Sequence, residues 1–242
     1  MRILLLALAA AFGMTACAPA QEPANRDEIE QIVRDYILTN PEIIEEALIE
    51  LQRRARQREQ DAMLGAVTSS QDRLYADARD PVLGADNPVV TVIEFFDYRC
   101  PYCTVSNEWI QSVLEEHGDQ VRFIFKEFPI RGEQSTNASR ASLAVWRIAP
   151  DSYEAFHNAL MNASGPLPDA RIDAFAVTAG VDVAAMRAEM ASDEITRQLA
   201  DVRQLAQSIG ITGTPFFIVG ETVVPGADID SLDRLVNEAL AR

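Results

Sequence analysis

Cysteine is scarce. Cys17, Cys100 and Cys103 are the only three in 242 residues, too few to staple a small fold with disulfides. Histidine is scarcer still, with His117 and His157 alone. A four-ligand zinc site would need both of them together with Cys100 and Cys103, at spacings unlike those of such sites, so no metal site is expected. Positive charge is also short: 21 Lys and Arg against 37 Asp and Glu leave a formal net charge of −16. That balance excludes nucleic acid as a partner, since phosphate binding needs a basic footprint, and it signals a solvated surface. The apolar run Ile3 to Phe12 falls short of the roughly 20 residues that span a bilayer. No internal repeat is visible.

What remains is globular in composition, 48% hydrophobic and 24% charged, and long enough for one domain with an appendage. Residues 1–20 read as an export signal, with Arg2 ahead of the apolar run. Two processing sites compete within it. Ala18-Pro19-Ala20 is an A-x-A site, and Met14-Thr15-Ala16-Cys17 resembles a lipobox in which Cys17 would carry the lipid. Either way only Cys100 and Cys103 remain for chemistry, in an oxidising cell envelope or periplasm.

Residues 21–80 read as a helical N-terminal segment. Ile29, Ile32, Val33, Tyr36 and Ile37 share one helix face. Asn40-Pro41 breaks the helix, and Ile43, Ile44, Ala47, Leu48 and Leu51 extend an apolar stripe before a polar stretch from Gln52 to Asp61. So small a unit buries its stripe poorly by itself. Residues 25–60 are therefore expected to self-associate or to act as a stalk. From about 81 the pattern becomes β-α-β, a helical block over 134–210, then β-β-α. The fold class is α/β with a mixed sheet.

Cys100-Pro101-Tyr102-Cys103 opens a helix directly after the strand Val89–Phe96. Unpaired N–H groups and the positive dipole end favour a thiolate at the first sulfur. Cys100 is expected as the exposed nucleophile and Cys103 as the resolving thiol, with Pro101 setting the first turn and Tyr102 tuning the field. Two soft thiolates alone also suit Cu(I), so a copper-binding envelope protein is the competing reading; a non-catalytic lipoprotein is the third. A second signal is Thr214-Pro215 at the start of the strand Phe216–Val219. A cis bond there would bring backbone groups to Cys100 for an extended substrate segment.

These residues, with Glu94-Phe95-Phe96-Asp97-Tyr98-Arg99 and Phe125-Lys126-Glu127-Phe128-Pro129-Ile130, resemble the DsbA-like branch of the thioredoxin superfamily from about Pro88 onward. Val33 to Glu42 resembles the leader of ScsC-like proteins (suppressor of copper sensitivity C), which drives oligomerisation in some of them. The resemblance implies a thioredoxin-like domain over 81–242 with a helical insertion at 134–210. It also implies a cis Thr214–Pro215 bond and a redox-active Cys100–Cys103 disulfide in place of any cofactor. Implied partners are unfolded or misoxidised exported proteins and a membrane redox partner. Glu94 and Lys126 match a buried acid and lysine of the family, implying a proton relay for Cys103. Thr214 before the proline resembles the isomerase members.

Overall fold

The computed structural model describes residues 25–242; the expected export signal and Cys17 lie outside them. Among the described residues no helix is long and apolar enough to cross a membrane.

The chain divides into two units, ending and starting at Arg56 and Gln57. The first holds α1 (Arg26–Thr39) and the beginning of α2 (Glu42–Ser69). The break falls at Asn40-Pro41, where proline lacks the N–H that a continuing helix needs. Ile29, Ile32, Val33, Tyr36, Ile44, Leu48 and Leu51 are all exposed. The apolar stripe read from the sequence therefore lies on exposed side chains of these helices.

The second unit contains a five-stranded sheet in the order β1-β3-β2-β4-β5. Its strands are β1 (Val82–Gly84), β2 (Val90–Phe96), β3 (Val121–Glu127), β4 (Phe216–Val219) and β5 (Thr222–Pro225). β2 and β3 are parallel, joined by α4 (Pro101–His117); the other neighbours are antiparallel. The central strands are buried on both faces, which explains their continuous apolar character. The three-residue edge strand β1 carries no such run and has no counterpart in the sequence reading. Its Gly84 sits at φ 94°, and a Cβ there would meet the Val121 carbonyl oxygen at 2.2 Å, so only glycine closes that edge.

Between β3 and β4 lie α5 (Glu133–Ile148), α6 (Tyr153–Met161), α7 (Asp169–Thr178), α8 (Val183–Met190) and α9 (Asp193–Ile209). Asp182 and Ser192 cap the last two of these by accepting from backbone N–H groups. The chain closes with α10 (Ile229–Leu240).

Each face of the sheet has its own core. On one, Val92, Phe96, Phe123, Phe125 and Phe217 pack under α4, α5, α6 and α10. On the other, Ile93, Phe95, Ile124, Phe216 and Ile218 pack against Val202, Leu205 and Ile209 of α9, and against Val67 and Leu74. Val67 belongs to α2 and Leu74 to α3 (Gln71–Tyr75). Residues 57–80, expected with the N-terminal helices, thus belong to the second unit. Helical periodicity marks an apolar face without saying which core it fills.

Candidate active site

β2 ends at Phe96, and the turn that follows is held by Asp97. Its carboxylate accepts from the Arg99 N–H and Ser135 hydroxyl at 2.7 Å each, and from the Ile130 and Arg131 N–H groups at 2.7 and 2.9 Å. Four donors around one buried carboxylate fix the loop carrying the cysteines against the loop after β3. No sequence motif singled Asp97 out, because its donors come from two distant segments.

Cys100 occupies the N-cap position of α4, with Pro101 in the first turn. Its thiol donates to the Thr214 carbonyl at 3.2 Å, and the Thr214–Pro215 bond is cis. The structure therefore brings together Cys100, Cys103, Thr214 and Pro215. Cys100 is only 2% exposed and Cys103 fully buried. The expected exposure of Cys100 is not observed, because the Thr214 loop covers the sulfur; the 66% exposed side chain is that of Tyr102. A groove of 290 Å³ follows Thr212 to Phe216, with Met63 in its wall.

The two sulfurs are held in opposite states. The Cys100 thiol is lowered to about 5, first by hydrogen bonding from Cys103, then by the Thr214 side chain and the first-turn N–H groups, all outweighing partial burial. Cys103 is pushed far above the ordinary thiol range by burial, by its bond to Cys100 and by the charge of Glu94. The surroundings therefore favour the thiolate at Cys100 and the thiol at Cys103.

Glu94 lies beneath them. It is 1% exposed, accepts from the Ser106 hydroxyl at 2.9 Å, and is raised to about 8, chiefly by burial. The structure does not bring Lys126 to it. Glu94 stands opposite Phe125 in the ladder and Lys126 opposite Phe95, and alternate residues of a strand face opposite sides. On that other face Lys126 forms an ion pair with Asp80 and donates to the Arg73 carbonyl at 2.5 Å. The expected Glu94–Lys126 relay is thus not formed; Lys126 belongs to a buried ion pair on the far face. Asp80 was missed because its partner lies many residues away and only the register reveals the pairing.

The acid that shares the Glu94 face is Glu127, 1% exposed. Around it lies a polar cluster. Tyr98 donates to Ser142 at 2.7 Å and contacts Nδ1 of His157 at 2.8 Å. His157 is fully buried and held neutral, lowered to about 3 by desolvation. His117 lies at the end of α4, away from this cluster. No group of three or more His, Cys, Asp or Glu suited to a metal ion occurs among the described residues.

Comparison with known proteins agrees with this geometry. The family described as DSBA-like thioredoxin domain matches residues 91–238. The copper resistance protein ScsC N-terminal domain matches residues 25–58. The chain is 30% identical to disulfide bond formation protein D of Bacillus subtilis over 171 residues, covering 66% of this chain and 77% of that protein. A linker-deletion mutant of Proteus mirabilis ScsC superposes with a TM-score of 0.68 at 30% identity, covering 92% of this chain and 99% of the other. A thioredoxin-like oxidoreductase from Silicibacter pomeroyi is 38% identical with a TM-score of 0.65, covering 71% of this chain and 98% of the other.

Proposed function

We propose a mechanism for this chain from the premise that it belongs to the DSBA-like thioredoxin family, bears an ScsC-type N-terminal domain, and is a thiol–disulfide oxidoreductase of that type. It exchanges disulfides with exported proteins in the periplasm or cell envelope, through Cys100. The observation carrying this reading is the sulfur of Cys100 at the mouth of α4, where Cys103 and the first-turn N–H groups favour the thiolate, beside the cis Thr214–Pro215 bond.

In the reducing direction the Cys100 thiolate attacks a substrate disulfide. One substrate sulfur leaves as thiolate, and the other is held in a mixed disulfide. Cys103 then gives its proton to the Glu94 carboxylate and attacks Cys100, releasing the second substrate thiolate and closing the Cys100–Cys103 disulfide. The reverse sequence oxidises a substrate dithiol, with Glu94 returning the proton. Either direction needs a redox partner to reset the pair, and a membrane protein fills that role. Backbone groups at Thr214 and Pro215 dock the substrate chain beside the sulfur, with Tyr102 at the rim.

The N-terminal helices favour isomerisation. Their uncovered apolar stripe and the match to the ScsC N-terminal domain support self-association through residues 25–56, and copies with facing clefts would hold a misfolded client. Sedimentation with and without these residues, alongside refolding of scrambled ribonuclease, tests this. The full chain is expected to be oligomeric and an isomerase, the truncated one monomeric with its dithiol still reactive. A monomeric full chain leaves an oxidase or reductase.

A further inference from the structure

Glu127 is a buried acid that the mechanism above leaves unused. Neither carboxylate oxygen has a hydrogen-bond partner within bonding geometry, although the Ser139, Ser142 and Tyr98 hydroxyls surround it. It follows Lys126 on β3 and so faces the opposite way, toward α4, α5 and α6. Glu94, paired with Phe125, points to the same side, two residues away along the ladder. With parallel strands about 4.8 Å apart and a rise of about 3.3 Å per residue, such diagonal neighbours lie about 8 Å apart.

The groups facing Glu127 can be named element by element. β2 contributes Glu94; the turn after it contributes Asp97 and Tyr98; α5 contributes the Ser139 and Ser142 hydroxyls; α6 contributes Tyr153. His157 is neutral, and the nearest buried cation, Lys126, is committed to Asp80 on the far face. Two desolvated carboxyl groups therefore share a chamber with no counter-charge. Carboxyls in that position cannot both ionise freely.

We propose that Glu127 is a positioning residue for the resolving step: its buried carboxyl sets the protonation of Glu94, and through Glu94 that of Cys103. The proposal rests on the role given above to Glu94 as acceptor of the Cys103 proton. In that step the Cys103 S–H bond breaks and the proton passes to Glu94. The new sulfur–sulfur bond forms to Cys100, and the substrate sulfur leaves with the electron pair of the old one. Once ionised, Glu127 keeps Glu94 basic enough to take the proton; without that charge Glu94 ionises at lower pH and becomes a weaker base.

The test is stopped-flow release of the second thionitrobenzoate when the reduced full chain meets a thionitrobenzoate disulfide, followed against pH. Glu127→Gln is expected to move the midpoint of this phase downward by about 1.5 pH units, as for unit charges some 8 Å apart at an effective dielectric of about 20. Glu127→Asp should retain the wild-type midpoint, and the first release, from Cys100 attack, should keep its rate in both variants. An unmoved midpoint in Glu127→Gln, with a pH dependence that disappears in Glu94→Gln, overturns the role of Glu127 alone. A pH dependence surviving in Glu94→Gln overturns the Glu94 step and this proposal with it. Should Glu127→Gln not fold, reciprocity supplies the second measurement. The infrared band of the protonated Glu127 carboxyl should titrate at lower pH in Glu94→Gln than in the wild type, and an unchanged titration is contrary to the proposal.

Discussion

Strand β3 sends one buried charge to each face of the central sheet, Lys126 to one and Glu127, beside Glu94 of β2, to the other, and the two faces treat them in opposite ways. On the far face Lys126 meets Asp80 and the Arg73 carbonyl, so its charge is neutralised and bonded. On the near face Glu94 and Glu127 have hydroxyls for company and no cation, and both are pushed up to about 8 by burial. On the far face Lys126 opposes the burial that raises the Asp80 carboxyl to about 6, and the pair ties distant segments of the fold together. An unpaired buried acid titrates near neutrality, where a proton can be exchanged with a thiol. The difference teaches which charges are structural and which are available for chemistry.

The largest effect expected from breaking this contrast is on the far face. Lys126→Ala leaves Asp80 buried without its counter-ion and should cost about 3–5 kcal/mol of stability by urea unfolding. The Cys100 titration should not move. A shift in Cys100 with intact stability would return Lys126 to the active site.

On the near face the order reverses. Glu94→Gln should slow the resolving step by about a hundredfold at neutral pH, measured by release from the mixed disulfide. Stability at that pH should rise, since an uncompensated acid is removed. A loss of stability would mean that Glu94 is a structural residue.

A smaller effect sharpens the same point through pH. The folded-state values of Glu94 and Glu127 lie above their ordinary value of 4.5, so the native chain holds protons that the unfolded chain has released. Their contribution is fully present below about 4.5 and is lost as pH rises through about 8. The urea midpoint should fall across that window, and less steeply in Glu94→Gln. An identical slope in both proteins would argue against a protonated Glu94.

Much of the catalytic unit was legible before its structure. The run before Cys100 and the helix after it are local patterns, as is the closing β-β-α order. Pairing Glu94 with Lys126 was not legible, because strand parity becomes a face only when the register is known. The neighbours Lys126 and Glu127 had to point opposite ways; nothing local says which of them looks toward Cys103. The covering of Cys100 by Thr214 and the docking of Val67 and Leu74 under the sheet are likewise long-range outcomes. The spacing of Met63, Ala66 and Val67 carries a helical signal past the polar stretch, inside the second unit that begins at Gln57.

The most direct measurement is the thiolate absorbance of the reduced, full-length protein as a function of pH, with Cys100 identified by its loss in Cys100→Ser. A transition with its midpoint near 5, and a rise of that midpoint in Cys103→Ala, is the predicted result. A single transition near the ordinary thiol value of 9 would contradict it, and with it the claim that this helix mouth holds a reactive sulfur.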